Sequence, residues 1–173
     1  GGLADVNNAG NIYATDGFGI EVVGFDGATV TNEGVVAVDG TGFVQGISAV
    51  SPYGLASVTN DGDVRVDSDD VGFGVYAGGG GGALIINTGS VDAYGINAGI
   101  GLGAYGDGSG VAIDNQGQVY AASKYGMAAA IAGYGDDVTV TNSGIASAFT
   151  FYGDAMGVLV YAGTGVADVT NSS

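Results

Sequence analysis

The segment Val30-Thr31-Asn32-Glu33-Gly34-Val35-Val36-Ala37-Val38 decides the fold, because versions of it recur along the whole chain. In each version an asparagine ends a short apolar run and a glycine stands two residues later. The asparagines are Asn8, Asn32, Asn60, Asn87, Asn115 and Asn142, and the glycines are Gly10, Gly34, Gly62, Gly89, Gly117 and Gly144. A seventh asparagine, Asn171, is followed by Ser173 where glycine would stand. The mean spacing is near 27 residues, so one repeat governs the chain.

The residues around each asparagine alternate in character. Positions two before, four after and six after it are apolar in every repeat, whereas the position five after it is mostly polar, as at Arg65 and Asp92. This period of two is typical of strands with one buried face. A further apolar segment follows at a variable distance, at Gly19-Ile20, Gly46-Ile47, Gly74-Val75, Gly95-Ile96, Ala130-Ile131 and Gly157-Val158.

Three short strands per repeat, with the same columns each time, predict an all-β fold. We expect a single β-solenoid domain over residues 1–173, with about six coils of roughly three strands each. The recurring asparagines then predict an amide ladder inside the stack, each side chain bonding to the coils above and below. The glycine two residues later predicts a corner with positive φ.

Composition and charge exclude several classes of protein. The 37 glycines among 173 residues disfavour a helical bundle, and 46% hydrophobic residues disfavour disorder. The absence of cysteine and histidine excludes disulfides, catalytic triads with histidine and histidine-bound zinc. The net charge is −16, and only Arg65 and Lys124 are cationic. We therefore expect no nucleic-acid partner. No apolar run approaches the roughly 18 residues that a membrane span needs, so we also expect no membrane insertion of this segment.

The pattern Val-Thr-Asn-x-Gly resembles the passenger repeats of bacterial autotransporters and related haemagglutinin-like adhesins. It is clearest at Val30 to Gly34, Val58 to Gly62 and Val140 to Gly144. The resemblance implies a surface-displayed or secreted adhesin or fibre segment, located outside the cell or on the bacterial surface. It carries over no catalytic residues, because the matching motif is structural.

Side chains that could do chemistry are few, and we expect no enzyme and no required cofactor. Clustered carboxylates beside glycines make a specifically bound calcium ion possible. The alternative is that cations only screen the negative charge, without a defined site. These carboxylates belong to Asp61, Asp63, Asp67, Asp69 and Asp70. Tyrosines precede glycines at Tyr53, Tyr94, Tyr105, Tyr125, Tyr134 and Tyr152, where they could pack on surface carbohydrate or on each other. The run Gly101 to Gly106 matches GxGxxG literally, but we expect a glycine-rich corner there.

Both ends of the repeat array predict open strand edges, at Leu3, Val6 and Asn8 and at Val169 and Asn171. Two explanations stay open: a segment of a longer solenoid, or a protomer that stacks head to tail as a homopolymer. The leading prediction is a structural extracellular fibre or adhesin subunit. The alternative is a carbohydrate-binding, or secondarily a carbohydrate-cleaving, solenoid that uses Tyr and Asp corners. Threonine pairs at Thr29/Thr31 and Thr139/Thr141 also raise ice binding, but Leu84/Ile86 interrupts that array.

Overall fold

A computed structural model describes residues 2–172 and contains seventeen β-strands within that range. The strands are β1 (Leu3–Asn8), β2 (Asn11–Val23), β3 (Gly27–Asn32), β4 (Val35–Ser51), β5 (Leu55–Asn60), β6 (Asp63–Ser68), β7 (Val71–Gly79), β8 (Ala83–Asn87), β9 (Ser90–Gly95), β10 (Ala98–Gly106), β11 (Val111–Asn115), β12 (Gln118–Ser123), β13 (Met127–Gly135), β14 (Val138–Asn142), β15 (Ile145–Thr150), β16 (Ala155–Ala162) and β17 (Ala167–Asn171). Within residues 2–172, no helix is long and apolar enough to cross a membrane.

The strands stack into three faces, each made of parallel strands, which confirms the predicted β-solenoid. Face 1 is the seven-stranded sheet β1-β3-β5-β8-β11-β14-β17. Face 2 contains the first parts of β2 and β4, followed by β6, β9, β12 and β15. Face 3 contains the second parts of β2 and β4, followed by β7, β10, β13 and β16. Each coil of about 27 residues contributes one strand to each face.

The register keeps equivalent residues of successive coils directly opposite one another. On face 1, for example, Val30 pairs with Val58 and Asn32 pairs with Asn60. The inward columns of Val, Ile, Leu and Ala form one continuous core that runs along the stack. Each coil can bury its apolar side chains only against its neighbours, so stacking and core formation are the same event.

The third strand of the fourth coil lies later in the chain than the sequence predicted. Gly95 ends β9, and Ile96 lies at a corner, where its N–H donates to the Ser68 carbonyl. The inward residue on face 3 is instead Leu102, which pairs with Val75 and Ile131. The GxGxxG run is therefore part of strand β10, and the expected glycine-rich corner at Gly101 to Gly106 is wrong. A Cβ at Gly101 would collide with Val119, so the narrow interior requires glycine there.

Candidate functional site

A column of asparagine side chains runs through the interior of the stack where face 1 ends. Each Nδ2 donates to the Oδ1 of the asparagine in the next coil, over 2.6 to 2.8 Å. The column contains Asn8, Asn32, Asn60, Asn87, Asn115, Asn142 and Asn171. Asn32, Asn60, Asn87 and Asn115 have no solvent exposure. The bonds all point the same way, so the ladder has a direction along the solenoid axis.

The same amides also fix the corners that follow them. Asn60 Nδ2, for example, donates to the Gly62 carbonyl over 3.1 Å. The backbone N–H groups of Asp61 and Gly62 donate in turn to the Asn32 carbonyl of the preceding coil, at 2.8 and 3.0 Å. Each buried amide thus has hydrogen-bond partners in the coil before it, in the coil after it and within its own coil, as is usual for a buried polar group.

The corner glycines have negative φ, so the predicted positive φ is wrong at Gly10, Gly34, Gly62, Gly89, Gly117 and Gly144. The reason for glycine is close approach of stacked backbones. A Cβ at Gly62 would overlap the Gly34 carbonyl oxygen, and the same overlap recurs in each later coil. Gly10 has no such neighbour, because its Cβ would point away from the stack at the open end.

Hydroxyl groups support two further corners that were not predicted: Ser51 lies where face 3 ends, whereas Ser123 and Thr150 are paired where face 2 ends. Ser51 Oγ, Ser123 Oγ and Thr150 Oγ1 each accept a bond from the glycine N–H three residues later, at 3.0 to 3.1 Å. Each hydroxyl also donates to a carbonyl of the preceding coil, at 3.3 Å. The sequence does contain a pattern that could have predicted these bonds. A serine or threonine stands two residues before Tyr53, Tyr125 and Tyr152, and each of these tyrosines is followed by glycine.

Several of the tyrosines stack on aromatic rings of neighbouring coils. Tyr125 and Tyr152 lie 5.8 Å apart between ring centroids, and Tyr53 lies 5.9 Å from Phe25. On face 3, Tyr76 is half-buried, and burial raises its pKa above the ordinary value, with Tyr105 adding to the rise. These contacts join adjacent coils on the outside, as the amide ladder does on the inside.

An open groove of about 510 Å³ crosses several coils on the outer side of face 2. Its walls include the aromatic rings of Tyr94, Tyr120, Phe149 and Phe151. Phe149 and Phe151 meet edge to face, with ring centroids 5.0 Å apart. The groove also contains three charged side chains, Arg65, Asp67 and Asp92, and the Arg65 guanidinium lies 4.0 Å from the Asp92 carboxylate.

The five aspartates considered for calcium lie along and beside β6. Asp61 accepts a bond from Thr88 Oγ1 at 2.6 Å, and Asp70 accepts one from Asn97 Nδ2 at 2.8 Å. Asp63, Asp67 and Asp69 are exposed. Across residues 2–172, no three acidic side chains form a group that could hold a metal ion.

The two ends of the stack present strand edges and partly open core. Leu3 is 82% exposed in β1, and Val169 is 45% exposed in β17. Val6 and Ile12 at one end, and Val158 and Val160 at the other, pack on the core but are only partly buried. In the ladder, Asn8 and Asn171 are the first and last members. The residues predicted as assembly edges therefore lie at opposite ends of the axis.

Comparison of the chain with family models, with curated proteins and with solved structures finds no match in any of the three.

Proposed function

We propose that this protein is a non-enzymatic subunit of an extracellular fibre or surface stalk, in which copies stack end to end. The observation that carries the proposal is the pair of open ends. Among residues 2–172, the edge strands β1 and β17 each pair with one neighbouring strand, and the core columns continue to both ends of the stack. A second copy extends these sheets in the way that each coil already extends the one before it.

The energetics of stacking follow from contacts inside the solenoid. A coil added to an end completes backbone hydrogen bonds on the sheet edge and covers side chains such as Val6 or Val158. Removing apolar surface from water contributes about 25 cal/mol per Å². The amide ladder adds one further hydrogen bond per coil and fixes the register, because an asparagine placed opposite Val would be an unsatisfied buried amide.

The surface charge suits a fibre that grows at its ends. With a net charge of −16, copies repel one another when they approach sideways. The end strands β1 and β17 contain one charged residue each, Asp5 and Asp168, so axial contact brings few charges together. The same charge argues against nucleic acid as a partner.

Electron microscopy of the tag-free chain over a range of concentrations tests the proposal. We expect unbranched filaments that become longer as concentration rises, built from subunits about 29 Å long for six coils. The variant Val169→Lys places a charge in an inward column at one end and should abolish filaments. Leu55→Lys adds the same charge at an exposed residue of β5, in the middle of the stack, and should leave them intact. Discrete particles at every concentration would refute the fibre.

A second candidate function is carbohydrate binding, and the groove on face 2 favours it. Sugars bind proteins through aromatic faces combined with a few polar groups, and the groove offers both. Titration with cello-oligosaccharides, followed by tyrosine fluorescence, tests this function. Tyr120→Ala should remove the response, whereas Tyr53→Ala, at an exposed tyrosine outside the groove, should keep it. An unchanged spectrum on titration would exclude these sugars as ligands.

A further inference from the structure

The three faces contain different numbers of strands, and this difference constrains how two copies can join. In the described part of the chain, residues 2–172, face 1 has seven strands, whereas faces 2 and 3 have six each. Strand β17 therefore extends one layer beyond β15 and β16. If an incoming copy placed its β1 on β17, a gap one strand wide, about 4.8 Å, would remain above both β15 and β16. The partly buried Ala146, Val158 and Val160 would stay uncovered beneath that gap.

The two end strands of face 1 are near copies of each other. Strand β1 reads Leu3-Ala4-Asp5-Val6-Asn7-Asn8, and Val166 with β17 reads Val-Ala-Asp-Val-Thr-Asn. At the position of Asp5 and Asp168, the five strands between them carry other residues: Thr29, Ser57, Leu84, Ala112 and Thr139. The side chains of β1 and β17 therefore match, so both strands fit against the same neighbouring strand.

We propose that copies join by strand replacement, in which β17 of one copy takes the place of β1 in the next. In the free chain, β1 pairs with β3 so that Ala4, Asp5 and Val6 face Ala28, Thr29 and Val30. Strand β17 presents the same three residue types to β3 of the incoming copy, while its other edge stays paired with β14. The released segment, residues 2–8, leaves the stack before the exposed Gly10. The inference rests on the fibre proposed above and specifies its joint.

Strand replacement closes the gap on the other two faces. With β1 released, the incoming β2 lies directly on β15 and β16, one layer above them. The columns continue, since Ala146 then faces Ile12 and Val158 faces Ile20, as the equivalent residues do between all other coils. The joint breaks one strand pairing and makes three.

Charge also favours replacement over simple stacking. Strand β1 on top of β17 would set the Asp5 carboxylate directly opposite that of Asp168, and like charges directly opposite in a sheet are destabilising. After replacement, Asp168 faces Thr29, which is the neighbour that Asp5 has in the free chain. The amide ladder also continues, with Asn171 donating to Asn32 of the next copy as Asn8 does now.

A reversible lock on β1 tests the joint. Asn7 and Thr31 face each other across β1 and β3, so Asn7→Cys/Thr31→Cys forms a disulfide that holds β1 in place. The matched control Thr141→Cys/Thr170→Cys locks β17 to β14, a pairing that the joint keeps. We expect the first variant to lose filament growth when oxidised and to regain it on reduction, and the control to grow in both states. Growth of the oxidised first variant would overturn strand replacement and leave the fibre standing.

Hydrogen exchange on assembled filaments gives an independent readout. Replacement predicts that the amides of residues 3–8 lose protection on assembly, whereas those of residues 167–171 gain it. Gain of protection in both segments would overturn replacement in favour of simple stacking. A chain lacking residues 1–8 should assemble at lower concentration than the full chain, because its site on β3 is already vacant. If neither chain formed filaments, both the fibre and its joint would be refuted.

Discussion

Replacing Asn87 with valine tests the amide ladder where it is most buried. Asn87 accepts from Asn60 and donates to Asn115, both at 2.8 Å, and has no solvent exposure. Valine leaves one amide hydrogen of Asn60 and the Oδ1 of Asn115 without partners. Each buried polar group left unsatisfied costs about 1–3 kcal/mol, so the free energy of unfolding should fall by about 2–6 kcal/mol.

The double variant Asn87→Val/Asn115→Val separates a ladder from a set of independent buried amides. The single variant Asn115→Val orphans a donor on Asn87 and an acceptor on Asn142. In the double variant the two substituted positions face each other, so only Asn60 and Asn142 lose a partner. The number of unsatisfied groups equals that of a single variant. We therefore expect the double variant to cost about as much as one single variant and well below their sum.

Urea unfolding followed by far-UV circular dichroism measures these differences, provided that the slope with urea is unchanged among the variants. Asn97→Val is the matched control, because it removes an exposed amide that donates to Asp70 between coils over 2.8 Å. That substitution should change the free energy of unfolding by no more than about 0.5 kcal/mol. Strict additivity of the two ladder variants, or an Asn87→Val effect as small as the control's, would refute the reasoning.

Three further sets of substitutions test the corner glycines, the charge on the outer surface and the half-buried phenol of Tyr76. Gly62→Ala should lower the free energy of unfolding by about 1–3 kcal/mol, since its Cβ meets backbone of the preceding coil, whereas Gly10→Ala should be neutral; thermal unfolding compares them. Asp39→Asn removes the like charge directly opposite exposed Asp67 and should raise stability by about 0.2–1 kcal/mol in low salt, a gain that disappears in high salt. Because folding raises the pKa of Tyr76, the free energy of unfolding should fall as pH rises above the ordinary tyrosine pKa. The Tyr76→Phe variant should lose less stability than the parent chain over that pH range. Equal losses for variant and parent, measured by urea unfolding at alkaline pH, would contradict this.

The fold was predictable because its inward residues repeat in fixed columns. Val30, Val58 and Val140 hold the same place in their coils, and period two around each asparagine identifies the strands of faces 1 and 2. The strand of face 3 in the fourth coil was harder to place. Its inward positions near Gly101 and Leu102 are mixed with glycines that carry no side chain and therefore show no alternation.

The role of the corner glycines could not be predicted from their positions alone. A glycine required for positive φ and a glycine required because a backbone passes overhead look the same in a sequence. Only the stacked structure shows that the Gly34 carbonyl occupies the space where a Cβ of Gly62 would lie. The groove on face 2 could not be predicted from the sequence for a related reason. Tyr94, Tyr120 and Phe149 come from different coils and from two outward columns that are otherwise irregular.

Inward columns alone do not determine how two copies join. On face 1, Val169 meets an inward valine in either geometry, Val6 after simple stacking and Val30 after replacement. The choice therefore depends on features outside the core columns, namely the extra strand on face 1 and the outward Asp5 and Asp168. In a repeat protein each coil resembles the next by necessity, since each must cover the same neighbour. Specific assembly must then use the positions where the repeat is broken, and here those positions are concentrated at the two ends.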